Sequence, residues 1–165
     1  MSVAPIAVWS NFFAAETGAA AALTGLIIVA ISINLSRRLA DPLWPGRAAE
    51  TLVQPAGVLV ASTFALVPGQ PGWLLGLELV LTGAVMCAMP TVIQISAFRR
   101  APNYPYSWWW VRVALAQASS LSFVVAGAML MQGIAGALYW TVPGIVVALI
   151  GALINTWVLL VEILR

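Results

Sequence analysis

The seven basic residues of this 165-residue chain are all arginines, and long apolar runs separate them into three patches. Arg37, Arg38 and Arg47 form the first patch, Arg99, Arg100 and Arg112 the second, and Arg165 stands alone. An apolar run of about 20 residues is what a helix needs to cross a bilayer. Five such runs with short connections use nearly the whole length. The chain is therefore read as an all-α integral membrane helical bundle, one domain over residues 1–165.

The spans are bounded by breakers, at about residues 8–36, 48–67, 73–98, 108–132 and 143–164. The first and third stop at arginine pairs, Arg37-Arg38 and Arg99-Arg100. Asp41 to Gly46 holds two prolines and a glycine and reads as a turn, as does the Pro68 to Gly72 segment. Pro143 suits the first turn of the last helix. Gly133 to Val142 is apolar enough to lie in the membrane interface. Met1 to Ala7 carries no positive residue, so the first run is expected to stay as a span rather than be cleaved.

Arginine placement sets the threading. With the amino terminus outside and the carboxyl terminus cytoplasmic, every arginine patch lies on the inner side, as the positive-inside rule requires. The opposite threading breaks the rule at each patch. Trp9, Trp73 and Trp140 then mark the outer interface, and Trp44 and Trp108 to Trp110 the inner one, as indoles with an apolar body and one donor do. Abundant Ala, Gly and Arg without Lys is the coding habit of a GC-rich genome, which points to a bacterial plasma membrane.

Ionisable groups inside spans cost about 2.5–3.5 kcal/mol or more at the helix centre, so each needs a partner or an aqueous surface. Glu16 and Glu78 sit near the outer ends of the first and third spans. Either both snorkel to external water, or they converge as the mouth of an ion or proton path that continues inward through Asn155. Glu50, Arg112 and Glu162 lie at similar depth on the second, fourth and fifth spans. An intramembrane ion pair of Arg112 with Glu50 or Glu162 is expected, chiefly as structural glue. Asn34, Gln54, Gln94, Gln117, Ser119, Ser120, Ser122 and Asn155 add uncharged polar groups. Hydrogen bonding between helices is their ordinary role.

Ala14, Gly18, Ala22 and Gly25 recur at three- or four-residue spacing on the first span and read as a helix-packing seam, its neighbour another span or a second copy. Pro55 and Pro90 invite kinks in the second and third. Ile31 to Arg38 aligns without a gap with Ile93 to Arg100, and in that register Glu16 falls opposite Glu78. The two readings are a duplicated two-helix unit with a fifth helix added, and the common ending of any helix that runs from outside to inside. Cys87, the one cysteine, allows no internal disulfide and reads as a small buried hydrophobe.

The chemistry that is missing narrows the function. Without histidine or lysine, and with one cysteine, there is no general-base histidine, Schiff-base lysine, zinc site or paired thiol. No catalytic residue, metal or cofactor is expected. The arginines and aromatics of Arg99 to Trp110 are read as an anchor for anionic lipid headgroups at the cytoplasmic face rather than a nucleic-acid site. The expected role is an accessory, regulatory or assembly protein acting through helix–helix contacts, alone as a homo-oligomer or in a larger membrane complex. The alternative is a homo-oligomeric ion or proton channel or transporter.

The run Phe12 to Leu35, with Glu16-Thr-Gly and Leu23-Thr-Gly inside it, resembles a family of small actinobacterial multi-span membrane proteins, some labelled modulator of FtsH protease. The Ala48 to Leu52 stretch and the Leu66 to Gln70 turn extend the likeness over about the first half of the chain. The chain departs from the longer, seven-span form of the better-known modulators. The resemblance implies a bacterial origin and a regulatory role, and assigns no site residue.

Overall fold

In the computed structural model, residues 6–38, 44–100 and 106–161 are described. Glu162 and Arg165 lie outside them, as does Asp41. A short 3-10 helix, Ile6–Trp9, leads into α1 (Ser10–Arg38). α2 (Trp44–Ala65), α3 (Gly72–Arg100), α4 (Tyr106–Met131) and α5 (Thr141–Val161) follow, with a second 3-10 helix, Ala137–Trp140, just before α5. No strand occurs among the described residues.

Among the described residues, four stretches are long and apolar enough to cross a membrane: Ser10–Ile33, Gly72–Arg99, Trp110–Met131 and Ala137–Trp157. α2 falls short of that standard because its first half carries Arg47, Glu50, Thr51 and Gln54. It also begins earlier than the breakers predict. Trp44, Pro45 and Gly46 are already helical, because Pro45 sits in the first turn, where its missing amide hydrogen has no partner to lose. α5 likewise begins two residues before Pro143, which leaves that proline in its first turn.

The Gly133 to Val142 stretch is more ordered than an interfacial segment needs to be. Gly133, at φ 70°, closes α4. Its amide donates to Leu130 O at 3.0 Å and the Ile134 amide to Met129 O at 3.0 Å, the paired bonds of a Schellman stop. Ala137 and Leu138 are then buried in the bundle, and Thr141 Oγ1 donates to Leu138 O at 2.6 Å.

Packing is dominated by two hairpins, α3–α4 and α1–α2. α5 lies against α4 and α2, and α2 also against α3. α2 is thus the central element. The apolar core gathers Phe13, Val58, Leu75, Leu79, Phe123 and Ile145, all under 2% exposed. At the same end of the bundle, Trp9 meets Tyr139 edge-on at 4.7 Å. The outer surface is apolar too: Leu26, Val29, Ile33, Val85, Val92, Leu153 and Trp157 are each more than half exposed. In water such a surface would drive aggregation, whereas in lipid tails it costs nothing.

Candidate functional site

The buried charge of the bundle lies at the arginine end with Gln54 and Gln94 beside it, and proline chemistry begins the arrangement. Pro90 has no amide hydrogen, so the Met86 carbonyl one turn earlier in α3 loses its helical donor. Gln54 of α2 replaces it, its Nε2 donating to Met86 O at 3.2 Å. Gly57 makes the approach possible, since a Cβ there would lie 2.3 Å from Met86 Sδ. One turn earlier in α2 stands Glu50, only 3% exposed. Gln94 Nε2 of α3 donates to its Oε1 at 2.6 Å, and Arg112 Nη2 of α4 donates to its Oε2. Each carboxylate oxygen thus holds a different helix.

Depth explains the pairing. Glu50 and Arg112 are each six residues into their helices, about 9 Å at 1.5 Å per residue. The Arg112 side chain keeps 20% of its surface exposed, so its aliphatic stem is in the bundle while part of the head reaches outward. The pair is close to neutral overall. It can tie helices together and orient small polar molecules; it offers no unpaired charge to a large ligand.

A second string runs between α3 and α4. Cys87 Sγ donates to Gln117 Oε1 at 2.8 Å, Gln117 Nε2 to Thr91 Oγ1 at 2.8 Å, and Thr91 Oγ1 to Cys87 O at 2.6 Å. Cys87 is therefore a half-buried hydrogen-bond donor rather than a plain buried hydrophobe. Ser119 Oγ donates to Gly144 O of α5 at 2.9 Å, while Ser120 and Ser122 turn back to carbonyls of their own helix. The serines and amides thus split into separate local bonds instead of one line across the bundle.

Asn155 lines a cavity of about 10 Å³ together with Glu50, Gln54, Arg112 and Gly151. Glu16 and Glu78 are not drawn together. α1 packs on α2 and slightly on α5, whereas α3 packs on α4 and α2. The two carboxylates stand on helices with no extended common face. Glu78 instead accepts a hydrogen bond from Gln70 Nε2, in the connection before α3. Both carboxylates are half-buried. The expected partner Glu162 lies outside the described residues, and Arg112 takes Glu50.

Among the described residues, the small-residue stripe of α1 faces outward from the bundle. Ala14, Gly18, Ala22 and Gly25 are all exposed, and a Cβ at Gly18 or Gly25 would have nothing within 4 Å. Among the glycines, the tightest approach to another helix's backbone is on α3 and α4. A Cβ at Gly76 would lie 2.7 Å from Gly127 O, and one at Gly127 2.4 Å from Gly76 O. Seven residues along each helix, Gly83 faces the Ser120 carbonyl at 2.9 Å. The sequence held that signal as a matched seven-residue spacing of small residues, Gly76 and Gly83 against Ser120 and Gly127.

The proline key makes a specific expectation. Gln54→Leu leaves the Met86 carbonyl without a donor and is expected to destabilise the fold by about 1–3 kcal/mol. In a Pro90→Ala background the helix supplies its own amide to Met86, and the same Gln54→Leu change is expected to cost less. Equal costs in both backgrounds, by reversible unfolding in bicelles with added dodecyl sulfate, would disprove the link between the two residues.

Among the described residues, no three acidic or cysteine side chains cluster as a metal site would need. No family model, curated protein or solved structure matches the chain.

Proposed function

We propose that the chain is a five-span protein of a bacterial plasma membrane, with the amino terminus outside and the arginines cytoplasmic. It acts as an accessory, regulatory or assembly subunit that docks laterally onto another membrane helix through α1. Burial supports α2 as the fifth crossing. Glu50, Thr51 and Gln54 are all less than 7% exposed, so its polar half faces the bundle, and Val60 on its outer surface is apolar. Its 22 residues reach about 33 Å at 1.5 Å per residue, against a hydrocarbon core of about 30 Å.

The observation that carries the docking role is the unfilled stripe of α1. Glycines of α2, α3 and α4, at 57, 76, 83 and 127, have backbone or side chains of a neighbouring helix where a Cβ would go; Gly18 and Gly25 have none. In the register that sets Glu16 opposite Glu78, Ala14 and Ala21 correspond to Gly76 and Gly83. The same face of the two helices is spent on α4 in one case and left to the lipid in the other. Small residues permit close backbone contact, the main source of helix attraction in lipid. The resemblance to small actinobacterial membrane proteins fits a regulatory role of this kind.

Gly18→Ile and Gly25→Ile are expected to reduce crosslinked adducts in native membranes at least tenfold, with monomer unfolding unchanged within about 0.5 kcal/mol. Adducts retained at full yield would overturn the docking role. Proton flux into liposomes that depends on Glu16 and Glu78 would replace it with the channel reading. Threading has its own check. In a Cys87→Ser background, a cysteine at Gln70 is expected to react with an impermeant maleimide on intact cells.

A further inference from the structure

Two of the residues that bound the cavity with Glu50 and Asn155, Gln54 and Arg112, each carry a buried polar atom without a partner, and the identities of those atoms restrict what the cavity accepts. Gln54 is 6% exposed, and its Oε1 has no donor. Its orientation is fixed, because turning the amide over would set that oxygen against the Met86 carbonyl, which now accepts from Nε2. Arg112 uses Nη2 on Glu50, and its Nε is buried without an acceptor. Both residues line the cavity, with Leu115, Ala116, Val147, Ala148 and Gly151 supplying apolar walls.

One orphan needs a donor and the other needs an acceptor. A cation cannot accept from Nε–H and would face the guanidinium charge. An anion cannot donate to Oε1 and would face the Glu50 carboxylate. A neutral molecule that both donates and accepts satisfies the pair, and about 10 Å³ admits one of the smallest kind. We propose that this cavity is a binding site for a single ordered water, bonded to Gln54 Oε1 and Arg112 Nε and within reach of the Asn155 amide.

The water has a structural task beyond filling space. Glu50, Gln94 and Arg112 tie α2, α3 and α4 directly, but none of those bonds reaches α5. Asn155 is the polar residue that α5 contributes to the cavity wall. A water there joins the last helix to the ion pair, and buried waters with three partners serve this role in other folds.

The full chain in lipid bilayers, labelled on arginine, asparagine and glutamine, gives a direct reading by water-edited solid-state NMR. Because Arg112 Nε is shut off from bulk solvent, magnetisation is expected to pass to it from a resident water, and to the Asn155 amide at a similar rate. Gly151→Ala supplies the contrast. A Cβ there meets only Leu115 Cβ at 3.9 Å, so the methyl fits while taking up cavity space. Transfer to Arg112 Nε is expected to fall at least fivefold in that variant, and the unfolding midpoint to move to lower detergent as two buried groups lose their partner. No transfer in the unmodified protein, or a Gly151→Ala variant that is more stable with transfer unchanged, would overturn the proposal.

Discussion

Glu50→Leu is expected to destabilise the folded bundle by about 3 kcal/mol, near the lower end for breaking a buried pair by removing one partner. The loss arises mainly from what remains. The Arg112 guanidinium would be left without its carboxylate, and its Nη2 would face leucine. Gln94 Nε2 would lose its acceptor as well. Partial exposure of the Arg112 side chain, 20%, lets the head draw outward and keeps the cost from reaching the upper end. Arg112→Leu strands the 3% exposed carboxylate of Glu50 and is expected to cost more. The double variant Glu50→Leu/Arg112→Leu decides whether the pair is glue. It removes both charges together, so its cost is expected to fall well below the sum of the single costs, with a coupling of about 1–3 kcal/mol. Reversible unfolding in bicelles, followed through the eight tryptophans, reads all three variants. Additive costs would mean that the two side chains do not depend on each other for burial.

That Arg112 pairs with a carboxylate at its own depth, Glu50 or Glu162, was legible because depth is legible, and the structure pairs it with Glu50. A bilayer makes position along a span nearly equivalent to position along its normal, so charges six residues inside two spans that start from the same side lie at one depth and can meet. The limits of the spans were readable for the same reason, as at Pro68 to Gly72 and at the arginine pairs. Which face of a helix meets which neighbour was not. In a soluble bundle the apolar stripe points to the core, but here Leu26 and Ile27 are both apolar while one is 68% exposed and the other 1%. Spacing therefore identified a small-residue stripe on α1 without saying that the chain leaves it open, and it passed over Gly76 and Gly127. The start of α2 was missed because Pro45 reads as a breaker unless it is placed in the first turn, as Pro143 was. Pro90 and Gln54 were each visible, yet their link depends on α2 lying against α3. No pattern within either helix carries that. Glu16 and Glu78 were set side by side by a sequence register, and a shared register puts residues at the same height without putting them on touching helices.

Gly127→Ala, one added methyl group, is expected to cost as much as the loss of a charge partner. The new Cβ would lie 2.4 Å from Gly76 O and 2.8 Å from Val80 N, both backbone atoms of α3. A flexible side chain could rotate away, but a helix backbone cannot, so α3 and α4 must separate along the most extensive packing surface in the bundle. Dispersion falls off within a fraction of an ångström, and in lipid no hydrophobic force compensates for the lost contact. A cost of about 3 kcal/mol, the top of the usual overpacking range, is the expected result. Gly76→Ala should match it, because its Cβ would meet Gly127 O at 2.7 Å across the same contact. The two changes together should cost less than their sum, since helices parted by the first methyl already have room for the second. Gly18→Ala gives the control: nothing stands within 4 Å of its Cβ, and its effect on the isolated chain should stay within about 0.5 kcal/mol. If Gly127→Ala unfolded at the same detergent fraction as Gly18→Ala, the backbones of α3 and α4 would not meet at Gly76, and the tightest joint of the fold would have to lie elsewhere.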